Sequence, residues 1–101
     1  MNKRDYAEFE RRFAAFMAHE GLANLSTIAD ASGKTEPYFS WRACDCCGRR
    51  FGGDRYDCNG YIPRGNRVSD VYAVCTDCMY YAEYGRLDDA TMMEVEASEN
   101  K

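Results

Sequence analysis

Histidine occurs once in the 101 residues, at His19, and proline twice, at Pro37 and Pro63. With so little imidazole the chain offers no HExxH and no H-x-E joined to P-C-x-x-C. A phosphate-binding glycine loop is also missing, as is a nucleophile with a base beside it. No catalytic constellation is therefore visible, and the chain is not expected to be an enzyme. Long apolar runs are lacking too: no segment approaches the ~20 residues of a membrane span. The opening MNKRDYAEFERR alternates charge with aromatics where a signal peptide would place an apolar core. A cytoplasmic location is expected, with no membrane partner. Internal repeats and low-complexity tracts are likewise absent.

What the chain has is cysteine, six in all. A chain this short buries a modest fraction of its surface, so its core needs reinforcement, and a bound metal is one form of it. In a reducing compartment six thiols point to metal binding ahead of a disulfide framework. Three of them crowd into ACDCCGRRFGGD (43–54), as Cys44, Cys46 and Cys47, and two more sit in VCTDC (74–78), as Cys75 and Cys78.

Cys44-x-x-Cys47 and Cys75-x-x-Cys78, separated by 27 residues, fit a four-thiolate zinc site with a full hairpin between the pairs. Ligands three apart lie on one side of a tight turn or of a helix's first turn, so two such pairs face to face complete a tetrahedron. Gly48 after Cys47 lets the backbone turn and aim its N–H groups at sulfur. One structural Zn2+ is the cofactor expected. An iron–sulfur cluster is the rival use of four cysteines, but the paired spacing and the knuckle glycine favour zinc. Cys46 reads as a passenger, more exposed than its neighbours, Cys58 as a buried small hydrophobe, and His19 as a helix-surface residue.

Charge is unevenly placed. The formal net charge is -4; four thiolates around a divalent ion would carry it to about -6. Between Arg42 and Arg67 stand six arginines against three aspartates, whereas residues 83–101 hold two positive and six negative side chains. A local basic patch can still steer an anionic partner.

Along the chain, Tyr6, Phe9, Phe13, Phe16 and Met17 recur at steps of three and four. They predict an amphipathic helix over 5–20, stopped by Gly21 (segment 1–21). Residues 22–37 read as a linker in which Leu22, Leu25 and Ile28 could form a short second helix before the loop DASGKTEP. YFSW (38–41) reads as extended. DRYDCNGYI (54–62), with Tyr56, Cys58 and Ile62 on one face and Asp57, Asn59 and Tyr61 on the other, and RVSDVYAV (67–74) predict a hairpin turned by PRGN. A helix is expected from Cys75 or Thr76 to a Gly85 cap. Residues 38–89 are thus the zinc-binding module. Residues 90–101 read as an acidic tail: a short helical turn is expected from Asp89 to Val95, with fraying after it. The fold class expected is a single α+β domain: an amino-terminal helix packed on a zinc ribbon or treble-clef-like core of knuckle, β-hairpin and short helix.

The run YFSWRACDCCGRRFGGDRYDCNGY followed by VCTDCMYYAEYGRLDD, residues 38–61 and 74–89, resembles small zinc-ribbon-like proteins encoded by bacteriophages and prophages. In these an aromatic-serine lead precedes a CxxCG knuckle, a GGDR-like segment follows, and a CxDC pair opens a YYAEYG-like helix. The resemblance implies Cys44, Cys47, Cys75 and Cys78 as the metal ligands, and a viral origin with a host bacterial cytoplasm as the setting. The group is functionally uncharacterised, so no mechanism comes with it. Cys46 and Cys58 are departures from its pattern.

Two functional expectations follow. Acidity and surplus tyrosines, including Tyr61, Tyr80, Tyr81 and Tyr84, suit a protein–protein binding module, an adaptor or inhibitor of a host bacterial complex or a phage protein. Alternatively, Arg49, Arg50, Arg55, Arg64 and Arg67, interleaved with Phe51, Tyr56 and Tyr61, suit a nucleic-acid-binding zinc module, against which the net charge weighs.

Overall fold

Asn2 opens the first helix, α1 (Lys3–Glu20), by accepting the Asp5 backbone N–H on its side-chain oxygen at 2.8 Å. Gly21 closes it in the left-handed conformation, φ 69°, where glycine carries no steric penalty. The chain's computed structural model describes residues 1–98. The helix buries Phe9 and Phe13 and half-buries Tyr6, Phe16 and Met17, so the aromatic stripe is its packing face.

The remaining elements are β1 (Ser26–Thr27), β2 (Tyr38–Ser40), β3 (Gly53–Asn59), β4 (Tyr61–Ile62), β5 (Arg67–Val68), β6 (Tyr72–Cys75), α2 (Thr76–Tyr84) and α3 (Asp89–Ala97). Three helices and antiparallel sheets make this a small α+β fold. β3 is its axis. Along 55–58 it pairs with β6, and on its opposite edge it pairs first with β2 (Phe39 facing Asp54) and then with β1 (Thr27 facing Cys58). β4 and β5 form a separate two-stranded ladder around the 63–66 turn, where Asn66 and Gly65 take φ of 49° and 92°. The expected hairpin is present but broken in two at Gly60, whose backbone N–H donates to the Ser69 hydroxyl at 3.0 Å.

The reading of the 22–37 segment is corrected. Residues 22–28 form no helix and are no loose linker: Leu22 and Leu25 are buried, and β1 adds a strand to the sheet. The Ala23 N–H donates to the Tyr61 carbonyl and the Tyr61 N–H to the Asn24 side chain, each at 2.8 Å. Three apolar residues cannot sustain a helix against backbone bonds of that kind. The helical turn expected from Asp89 is present as α3 and runs on to Ala97. Asp88 caps α3 through the Thr91 N–H and hydroxyl, and Val95 is buried. α3 docks beside the start of α1, where the Met1 ammonium pairs with Glu94 and the Lys3 N–H donates to the Ser98 hydroxyl. The last three residues of that segment, 99–101, lie outside the described ones. Among the described residues no helix is long and apolar enough to cross a membrane.

Candidate metal centre

The first cysteine pair sits on a knuckle closed by its own backbone. The Gly48 N–H donates to the Cys44 carbonyl at 2.9 Å, and the Cys44 N–H to the Arg49 carbonyl at 3.1 Å. Gly48 takes φ 74°, a conformation that a side chain would disfavour. The knuckle lies along the free edge of β6: the Asp45 N–H donates to the Ala73 carbonyl, and the Ala73 N–H donates to the Asp45 carboxylate at 2.8 Å. The second pair comes from the junction of strand and helix. Cys75 ends β6 and is the N-cap of α2, yet its side chain makes no capping bond. Cys78 sits one turn on, in the helix start whose dipole favours negative charge.

These four sulfurs lie within 4.8 Å of one another. Cys44 Sγ is 3.9 Å from Cys78 Sγ, and Cys47 Sγ 3.9 Å from Cys75 Sγ. A tetrahedron with metal–sulfur bonds of about 2.3 Å has edges of about 3.8 Å, so the donor set is spaced for one ion. All six cysteines are free thiols, and the four in the cluster are buried. Their protons are linked. Hydrogen bonds with Cys44, then Cys75 and Cys78, hold the Cys47 thiol far below its ordinary range. Those with Cys44, Cys46, Cys47 and Cys75 push Cys78 far above its own. A thiolate, the form that binds metal, is thus favoured at the knuckle.

Arg49 serves this cluster. Its Nε donates to Cys47 Sγ at 3.1 Å, and its terminal nitrogen reaches Cys75 Sγ at 3.6 Å and the Asp77 carboxylate at 3.1 Å. Its guanidinium stands 5.0 Å from the ring centres of both Phe9 and Phe51. Arg12 of α1 adds a bond to the Cys47 carbonyl at 3.2 Å, so the helix is docked against the knuckle itself.

The residues expected to bind a partner are scattered. Arg55 is buried, 1% exposed, and donates to the carbonyls of Arg42, Phe51 and Asp54; it belongs to no surface patch. Tyr81 is also committed, its ring set edge-on to Phe9 and Phe13 and its hydroxyl donating to Glu10 at 2.7 Å. Arg50 is exposed beside the knuckle, whereas Arg64 and Arg67 are exposed near the β4–β5 turn. β3, at about 3.3 Å per residue, spaces those two groups by about 20 Å. Tyr84 is exposed, its ring centre 4.5 Å from that of half-buried Tyr80, and Tyr61 bonds Asn66. Cys46 is buried, 6% exposed, contrary to the expectation of exposure, because the knuckle turns it inward under α1. Cys58 is fully buried, and burial, then Asp57 and the thiols of Cys44 and Cys46, pushes its thiol up to about 12. His19 is an exposed helix residue bonded to Glu20.

Sequence reasoning missed the part of Arg49 at the sulfurs, the burial of Arg55, and an exposed aromatic pair, Phe39 and Trp41, with ring centres 4.9 Å apart. Alternation in YFSW was the available signal for the last, since residues two apart in a strand share a face. No family model, curated protein or solved structure matches this chain.

Proposed function

We propose that the protein is a small binding module built on one structural zinc ion held by Cys44, Cys47, Cys75 and Cys78. The observation that carries this reading is the spacing of four buried sulfurs within 4.8 Å. Zinc is favoured because four thiolates at tetrahedral spacing suit it. An iron–sulfur cluster puts its own sulfides and several iron atoms between the cysteines and needs the thiolates farther apart. Four protein ligands also leave no open position for a substrate or water, so the ion's role is to hold the fold. In this reading knuckle, hairpin and a helix beginning at the third ligand form a treble-clef-like core, with α1 laid over it.

The partner is a protein. With Arg49 engaged by sulfur and Arg55 by carbonyls, the arginine run is split: exposed Arg50 lies beside the knuckle and exposed Arg64 and Arg67 near the β4–β5 turn, so they offer nucleic acid no single patch. Several large apolar side chains stay exposed instead. An adaptor or inhibitor of a host complex is the form of binding module this reading favours, with the acidic net charge and the exposed aromatic side chains as its support. Metal analysis of freshly purified protein tests the centre. One zinc per chain and loss of the cooperative melt on adding a strong chelator are expected. Iron with labile sulfide, no metal, or an unchanged melt would overturn it.

A further inference from the structure

We propose that the groove between the 28–36 loop and the sheet, walled by Ile28, Tyr56 and Val71 and rimmed by Asp30, Glu36 and Asp57, takes a lysine or arginine side chain from a basic segment of the protein partner. This deepens the reading of the protein as a protein-binding module and rests on it.

The loop leaves β1 and is fastened at its base, where the Ile28 N–H donates to the Asp57 carbonyl at 2.9 Å. Its far end closes on itself. The Asp30 N–H donates to the Lys34 carbonyl at 2.8 Å, and the Asp30 carboxylate accepts the Ser32 hydroxyl and the N–H groups of Ser32 and Lys34. Between the loop and β3 this leaves a groove of about 410 Å3, the scale of a small-ligand site. Val71, 58% exposed, and Ile28, 37% exposed, line it together with half-buried Tyr56. Apolar walls of this kind suit the methylene stem of a long basic side chain, whose charged end stays at the rim.

Charge selects the occupant. Three carboxylates line the groove against one ammonium, that of Lys34, which leaves two negative charges in excess. Their hydrogen bonds do not cancel them. The donors to Asp30 and Asp57 are hydroxyls and backbone N–H groups, all neutral, and such bonds favour the charged form. The Ser32 hydroxyl, then the Lys34 and Ser32 N–H groups, holds Asp30 below the ordinary carboxylate range. Glu36 has no hydrogen-bond or ion-pair partner among the described residues. The arginine next to Asp57 in β3's inner row, Arg55, turns its guanidinium to three carbonyls, and its charge is offset by exposed Asp70, which precedes Val71. An anion is repelled here, and an uncharged apolar ligand would cover carboxylates without pairing them. A cationic side chain with an apolar stem meets both wall and rim.

The test is selection from a random displayed peptide library on the zinc-loaded full chain, followed by affinity measurement on Glu36→Gln/Asp57→Asn, on Val71→Ser and on Asp89→Asn/Glu96→Gln, which removes the same charge from α3. Melting and zinc content of each variant should match the parent, since these side chains are exposed. The expected result is enrichment of peptides that set lysine or arginine beside apolar residues. Glu36→Gln/Asp57→Asn should weaken them about fivefold and Val71→Ser about threefold, with the α3 variant close to the parent. Peptides without basic bias, no enrichment, insensitivity to the groove variants, or an equal loss in the α3 variant would overturn the groove as the docking site. So would a dimer dependent on Glu36 and Asp57 by light scattering. None of these outcomes touches the zinc centre, which metal analysis tests, and enrichment of peptides indifferent to the groove variants would keep the binding-module reading while moving its site elsewhere.

Discussion

Arg49 Nε donates to Cys47 Sγ at 3.1 Å, and the same guanidinium bridges to Asp77 on α2. It joins the knuckle to the helix that carries Cys78 and lends positive charge to sulfur that must be anionic to hold a metal. Groups placed this way around a metal are typically worth 10–100-fold in its affinity. Arg49→Ala should therefore lower zinc affinity by about that factor in competition with a chromophoric chelator. Arg49→Lys should recover part of it, because an ammonium keeps the charge but cannot fork between sulfur and carboxylate. Equal affinity in all three proteins would remove Arg49 from the centre.

The six cysteines should separate into two classes. Alanine at Cys44, Cys47, Cys75 or Cys78 removes a ligand, and with it binding energy of the order of 10–16 kcal/mol that folding itself draws on; these variants should be unfolded and zinc-free. Alanine at Cys46 or Cys58 leaves the four-sulfur cluster whole. Both should keep one zinc per chain, with Cys58→Ala about 1–2 kcal/mol less stable for the small cavity it opens. Loss of zinc from Cys46→Ala would show that the ligand set has been misread.

Burial makes Arg55 a structural residue. Its two terminal nitrogens donate to three backbone carbonyls at 2.8–3.0 Å, binding the loop that leaves β2 and the loop that enters β3 to the strand itself. Its Nε has no partner among the described residues, so the geometry already carries one unsatisfied donor. Arg55→Met fills similar volume but strips the carbonyls of their donor, and should cost about 3 kcal/mol by chemical denaturation with zinc retained. A neutral result would mean that these carbonyls find water instead.

How far the sequence foretold this can be judged from particular residues. The cysteines chosen by spacing are the four brought together, because turn geometry and helix starts are local and visible in a few positions. The caps of α1 and α2 at Gly21 and Gly85 were legible for the same reason, both glycines taking left-handed φ. Leu22–Ile28 was not: its strand exists because β3 lies beside it, a contact 31 residues away for Thr27 and Cys58 in register. Charge and tyrosine counts likewise cannot distinguish a solvated arginine from Arg55 or a surface ring from Tyr81, since burial is decided by tertiary neighbours.

Tyr81 gives the fold an alkaline limit. Its ring packs edge-on to Phe9 and Phe13 while its hydroxyl donates to Glu10, so burial, then the Glu10 bond and charge, pushes its pKa up from about 10 to about 12. A phenol raised on folding contributes stability that is fully present below its unfolded value. That contribution is lost as pH rises through the folded one. The contact between α1 and α2 should therefore weaken between about pH 10 and pH 12. Tyr81→Phe cannot ionise and should flatten that part of the stability–pH curve, while losing the Glu10 hydrogen bond at neutral pH. An unchanged alkaline slope would assign it to other groups.

Gly60 marks the closest approach of the 22–28 segment to the hairpin. A β-carbon there would sit 2.0 Å from the Asn24 carbonyl oxygen and 3.1 Å from Leu22 Cδ2. Neither can retreat freely: the Asn24 side chain is held by the Tyr61 N–H, Ala23 by the Tyr61 carbonyl, and Leu22 is buried. Gly60→Ala must then push the segment off β3, at a cost of about 2–3 kcal/mol of the kind seen when tight interiors are overfilled. Gly53→Ala is the matched control, because its β-carbon would meet only Arg55 Nη1, at an ordinary 3.6 Å. Its stability should move by no more than about 0.5 kcal/mol. Equal denaturation midpoints for the two variants would show that the 22–28 segment is not fastened to the sheet, and the buried positions of Leu22 and Leu25 would lose their explanation.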